Sequence, residues 1–187
     1  MADVRITCGA VKNLLGAGVT VASSSGTAVI AANTMTLTVA STGFFSAGNV
    51  ISGTLIPPNT YIENQVIPLI TGEALGGVGR YLLNQNAPFA SGAVTADGSG
   101  LWTYKDGVYA TVQSCIDGTS GAQTATVVFD VSDDALHPAG TVLGTTSLSG
   151  TLTASDGFST ASAWKFVRAR VTAVSGTGAL ITALLGV

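Results

Sequence analysis

The sequence predicts an all-β protein: a β-sandwich of jelly-roll type that carries an inserted small β-barrel or β-sandwich module. Three observations predict it. Ala, Val, Thr, Ser and Gly dominate the 187 residues, and 24 glycines are spread through them. Thr and Val suit the pleated, half-buried surface of a strand, while Gly and Ser mark turns. Short runs alternate with period two, and none repeats with a helical period. The clearest run closes the chain. Val167, Ala169, Val171 and Ala173 alternate with Phe166, Arg168, Arg170 and Thr172, which places one set on a buried face and the other on an exposed or partner-facing one. Ser175-Gly176-Thr177-Gly178 then reads as a tight turn, and Ala179–Leu185 as the second arm of a closing hairpin. That arm is apolar on both faces, as in a sandwich core or a subunit interface.

From the N-terminus, Val4–Thr7 reads as a short strand, Gly9–Leu15 as one helical turn, Val19–Val21 as a strand and Ser23–Gly26 as a loop. Met35–Val39 alternates and reads as a strand. Pro57-Pro58-Asn59-Thr60 is a turn, because proline pre-sets φ and asparagine tolerates turn geometry. Tyr61–Ile67, Arg80–Asn84 and Ala93–Ala96 read as strands around the glycine-rich Gly72–Gly79 and a loop ended by Pro88. Strands at this spacing suggest a small barrel or sandwich. Asp97–Gly100 looks like a return linker, and Asp106-Gly107 is a good turn pair. Val108, Ala110 and Val112 share one face of the next strand, and Asp117–Gly121 is a polar loop. Ala125, Val127, Phe129 and Val131 form a strong strand. Ser132–Gly140 is a loop holding His137-Pro138, and Val142–Leu152 one or two short strands. The expected organisation is an outer β-sandwich domain, 1–28 and 98–187, interrupted by a β-rich module, 29–97. Such an insertion is tolerated because loop-closure entropy grows slowly with length.

Charged residues make up 9% of the chain, against about 25% in an ordinary soluble domain. The apolar content excludes disorder, and no run of about 18 apolar residues suggests a membrane helix. The stretch MADVRITCGAVKNLL lacks a basic segment followed by an apolar core, so no signal peptide is expected. The formal net charge is −3 with seven scattered basic residues, a poor footprint for nucleic acid. Low charge with high apolar content fits surface buried in a permanent assembly. Cys8 and Cys115 read as small buried hydrophobes; whether they pair depends on geometry.

Two stretches carry a resemblance. Ser46–Thr54, Pro58–Ile62 and Gly76–Leu82 resemble a module scattered through tailed-phage virion proteins, with Leu55–Asn59 and Arg80 departing from its usual small residues. Ser155–Ser159, Ala163–Ala169 and Ser175–Ala179 resemble the end of small phage structural proteins with a β-sandwich fold. The resemblance covers about half the chain. It implies a head decoration or cement protein, made in the bacterial cytoplasm, that binds the major capsid protein on the outer head surface and bridges capsomers, as a homotrimer. The alternative is a tail or fibre component with an adhesion or receptor-binding role; Tyr61, Tyr81 and Phe89 are few and scattered for a receptor-binding tip.

No catalytic, cofactor or metal residues are expected, and neither a nucleic-acid nor a membrane partner. His137 reads as a loop histidine, Asp133-Asp134 lacks a calcium-loop pattern, and Asp130 with Asp156 lacks the aromatic subsites of a glycosidase. Gly72–Gly79 lacks the phosphate-loop lysine. Trp102 and Trp164 read as core or interface anchors rather than a sugar platform. The expected interface residues are Val19, Val21, Trp164, Arg168, Arg170, Leu180 and Leu184. Arg168 and Arg170, two apart on one strand, are read as facing carboxylates on the capsid.

Overall fold

The computed structural model describes residues 11–16, 18–87, 89–135 and 140–186, with no helix among them. The strand read at Val4–Thr7, Cys8, Pro88 and His137 lie outside these residues. Twelve strands follow in order: β1 (Val11–Asn13), β2 (Ser23–Ala31), β3 (Thr34–Thr42), β4 (Ile51–Gly53), β5 (Ile62–Gln65), β6 (Gly79–Leu83), β7 (Phe89–Ser99), β8 (Thr103–Tyr104), β9 (Tyr109–Ser132), β10 (Thr141–Ala161), β11 (Phe166–Thr177) and β12 (Leu180–Gly186). The architecture is all-β and sandwich- or barrel-like, as the sequence predicts.

β9 organises the larger part. β10 runs antiparallel to it along its whole length. Its other side is shared by β11, which pairs with residues 120–132, and β12, which pairs with residues 111–117. β11 and β12 therefore run in the same direction, end to end, and do not form the hairpin expected from the sequence. Gly176 and Gly178 do take positive φ, +130° and +67°. They offset the chain sideways instead of reversing it, because β9 offers one continuous edge on which both strands find their hydrogen bonds.

The register breaks at one level in all three layers of this ribbon. On β10 it shifts between Thr151 and Thr153, where Leu152 has φ +72°. β9 loops out over residues 118–121, and β11 shifts between Ser175 and Thr177. Bulges add local bend and twist, and three in line turn a corner. Beyond it the ribbon folds back over its first half. Ser114 Oγ lies 2.6 Å from Thr146 Oγ1 across the fold, and the Phe129 and Phe158 rings meet edge-on at 5.8 Å. Between the two arms lie Val112, Ile116, Val127, Phe129, Val131, Val167, Ala169, Val171, Ile181 and Leu185, none more than 1% exposed. The predicted β11 alternation holds to Val171. The shift before Ala173 exposes that residue and sends Val174 toward the core instead.

The smaller part is a barrel. Its strands pair in the order β7-β2-β3-β6-β5. β4 closes the ring by pairing with β7 and, through a Val50–Tyr61 bridge, meeting the entry to β5. Met35, Leu37, Phe45, Ile51, Ile62, Tyr81 and Leu83 fill it, separate from the cluster inside the sandwich. The end of β7 leaves the barrel and pairs with β11, Ser99 against Arg170.

Several local expectations are corrected. The described end of the expected helical turn is β1, held by β12. Ser23–Gly26 opens β2 rather than forming a loop. It lies between β3 and β7, and a side chain at Gly26 would strike the Val39 carbonyl. Asp97–Ser99 continues β7 and is no linker, Val19 makes only one bridge, to Ile181, and Val142–Leu152 is half of one long strand.

The corner has a plug. Gln123 is fully buried, and its Nε2 donates to the Ser120 carbonyl at 2.7 Å. A side chain at Gly118 or Gly176 would run into the Gln123 amide, whereas Gly121, φ +72°, faces open space. Gly176→Ala therefore adds a clash to the strain of positive φ and should cost on the order of 1–3 kcal/mol. Gly121→Ala should cost less, since it bears strain alone. Chemical denaturation of the two variants checks the difference, and equal losses would remove Gln123 from the account.

Candidate functional site: an arginine–aspartate cluster and two exposed apolar surfaces

β9 and β11 place Asp130 directly opposite Arg168, with Arg170 two residues further on the same face. Asp130 is 2% exposed and receives both cations. Arg170 donates through Nε (3.1 Å) and Nη2 (3.2 Å), and Arg168 through Nε (3.3 Å). The Arg168 guanidinium also lies 4.6 Å from the Trp102 ring centre, a cation–π stack. Asp97, at the end of β7, accepts from Val50 N, Ser99 N and Ser99 Oγ. Burial pulls the Arg168 guanidinium below its ordinary value against the attraction of Asp130 and Asp97. Its hydrogen bond to Asp130 holds Arg170 above it. A guanidinium stays charged through such shifts, so the two arginines are fixed charges, not proton donors.

Beside it is a cavity of about 190 Å³, lined by Gly48 and Tyr61 from the barrel and by Gly100, Leu101, Trp102, Ala135 and Arg168. Burial, with Glu63 and Asp134, raises the Tyr61 phenol. Asp133 accepts from the Lys165 amide, and Asp156 sits on β10. No group of three His, Cys, Asp or Glu that could hold a metal ion gathers among the described residues.

This geometry corrects the reading of Arg168, while the Arg170 side chain stays partly exposed. Arg168 is 5% exposed, and the carboxylate it meets is Asp130 of its own chain. Alternation could not reveal this, because β11 is covered on both faces, by the sandwich core and by the Trp102 segment. Val19 is also buried in its own chain, bridged to Ile181. Val21, Leu180 and Leu184 are half-buried, and Trp164 is exposed.

Two exposed apolar surfaces replace them as contact candidates. The first is the β5–β6 connection, residues 66–78, where Ile67, Leu69, Ile70 and Leu75 are between 37% and 73% exposed. The loop is internally tied. Glu73 accepts from Arg80 Nε at 2.7 Å and from Ile70 N at 2.8 Å, and Gln65 bonds both Ala74 O and Gly76 N. These bonds hold the Glu73 carboxyl below its usual range, Arg80 first and the Ile70 amide second. Tyr81, buried in the barrel, donates to Gly77 O, and burial pushes its phenol well above its usual range. The second surface is Tyr104, Val108, Tyr109 and Trp164. Lys105, in the same stretch, is buried, and its ammonium donates to Gly107 O (2.6 Å) and Ser162 O (2.8 Å). No signal short of tertiary pairing marks either surface or Asp130 in the sequence.

Comparison of the chain with family models, curated proteins and solved structures gave no match.

Removing one partner of a buried ion cluster leaves charge unpaired. Asp130→Ala should therefore lower unfolding stability by about 3–5 kcal/mol, measured by chemical denaturation. A loss below about 1 kcal/mol would mean that the Trp102 stack and solvent suffice for the arginines.

Proposed function

We propose that this chain is a virion structural protein of a tailed phage, without enzymatic activity. In this reading it decorates the outer head surface, binds the major capsid protein and bridges neighbouring capsomers as a homotrimer. The observation that carries the proposal is the tied loop 66–78. Its one acidic side chain is engaged by Arg80, and its aliphatic side chains are held outward instead of collapsing onto the barrel. A fixed apolar projection whose one charge is already paired with Arg80 loses little entropy when it seats in an apolar groove, so most of its burial becomes affinity. Cementing requires no bond-making chemistry. It requires a stiff scaffold, and the doubly layered ribbon and closed barrel supply one. The internal use of Arg168 and Arg170 moves the expected capsid contact from charge pairing to apolar burial. The two stretches that resemble phage virion modules support the same reading.

A second reading, a tail or fibre protein with an adhesive role, is favoured by the aromatic cluster Tyr104, Tyr109 and Trp164, since such side chains are enriched at recognition hot spots.

Virions carrying a peptide tag in the exposed Ala32-Asn33 turn between β2 and β3, labelled and imaged, separate the two. Label over the whole head is expected, and Leu75→Asp with Ile70→Asp should deplete it. Label confined to the tail would replace the decoration reading with the adhesive one. An unlabelled particle, with the tagged protein folded, would remove both.

A further inference from the structure

β10 pairs with β9 alone, so among the described residues no strand covers its outer edge, and Asp156 caps it at the Ser147 amide. Edges of this length are ordinarily blunted by lysine, proline or brevity. β10 has none of these. Its one charged residue, Asp156, accepts from the amides of Ser147 (3.2 Å) and Gly157 (2.8 Å) of its own strand. Fifteen of the other twenty residues are Ser, Thr, Gly or Ala, with Val142 and Leu152 exposed.

The shape of the edge restricts what can pair with it. β10 is bent at Leu152 into two arms of similar length, Thr141–Thr151 and Thr153–Ala161. A straight strand from another protein could follow one arm only. A strand that follows both must be bent at the same place. β9 is bent to match but is already paired on both sides; β11 ends at the corner, and its other side is taken by β8 and β7 at residues 166, 167, 170 and 171. The matching strand with a free edge is β10 of a second copy.

We infer that β10 is a self-association edge, pairing antiparallel with β10 of a second copy about a two-fold axis at Leu152. A two-fold axis along the bisector of a bent strand maps the bend onto itself, so the two corners nest. Thr151 then faces Thr153 of the partner subunit, and Ser149 faces Ser155 of the partner subunit. Hydroxyls both donate and accept, so Ser/Thr ladders are complementary to themselves. The two copies of Asp156 fall eight positions apart along the ladder, each opposite Leu148 instead of its own kind, by the symmetry of this register. The contact is isologous and so separate from any three-fold contact. It concerns the isolated chain and does not rest on the virion reading.

The test is the mass of the full chain by sedimentation, for the native protein and for Ser149→Pro. The Ser147 amide points to Asp156 and away from β9, so the amide two residues on faces the same open edge, and proline removes it with little effect on the β9 ladder. A native mass that Ser149→Pro halves is expected. A native monomer at all concentrations, or a native oligomer whose mass Ser149→Pro leaves unchanged, would overturn the inference. If Ser149→Pro fails to fold, Leu152→Cys decides. Under mild oxidant it should cross-link in pairs while the native chain does not, and absence of that cross-link would overturn the inference equally.

Discussion

The sandwich depends on a single constraint: three hydrogen-bonded strands must bend at the same level. If only one bent, its ladder with its neighbours would break, and each buried backbone group left unpaired would be costly. By looping out residues 118–121 of β9, turning Leu152 of β10 left-handed and offsetting β11 from β12 at Gly176–Gly178, the chain keeps the ladders on either side intact. Gln123 occupies the space this opens, bonded to the Ser120 carbonyl, and glycines stand where its amide leaves no room for a side chain. The corner thus converts one long ribbon into two facing layers with an apolar interior. No second sheet has to be recruited.

The barrel is positioned by a different means. β7 runs out of it and onto the edge of β11, and the Asp130–Arg168–Arg170 cluster with Trp102 lies beside that joint. A buried ion cluster contributes little net stability compared with apolar packing, because desolvation offsets the attraction. Its geometry is nonetheless demanding, since Asp130 accepts only where both guanidinium groups reach it. Such a cluster at the joint favours one arrangement of β11 against the Trp102 segment. With this charge internal, the exposed apolar side chains of the 66–78 loop and of the Tyr104–Trp164 region carry the contact potential of the surface.

Period-two alternation made the fold class legible; it located β3 and β6 as strands, and the second half of β9 and the first half of β11 with their buried faces. It was misleading where glycine and serine cluster. Ser175–Gly178 has the composition of a reversal, yet it is an offset, because the continuous edge of β9 decides the direction and that edge is distant in sequence. Ser23–Gly26 has the composition of a loop, yet it is a strand, because two neighbours approach too closely for side chains. The candidate site was the least legible part. Alternation correctly put Arg168 and Arg170 on the face opposite Val167 and Ala169, but nothing local to β11 shows that Asp130, 38 residues earlier than Arg168, waits on that face.

The folding-back of the ribbon at its corner is tested most directly by proton–proton proximity measured by NMR in solution. The account predicts nuclear Overhauser contacts between the Phe129 and Phe158 rings, whose centroids lie 5.8 Å apart, together with cross-strand backbone contacts from β12 to residues 111–117 of β9. Cross-strand contacts between β11 and β12, with no contact between those two rings, would restore the terminal hairpin and contradict the account.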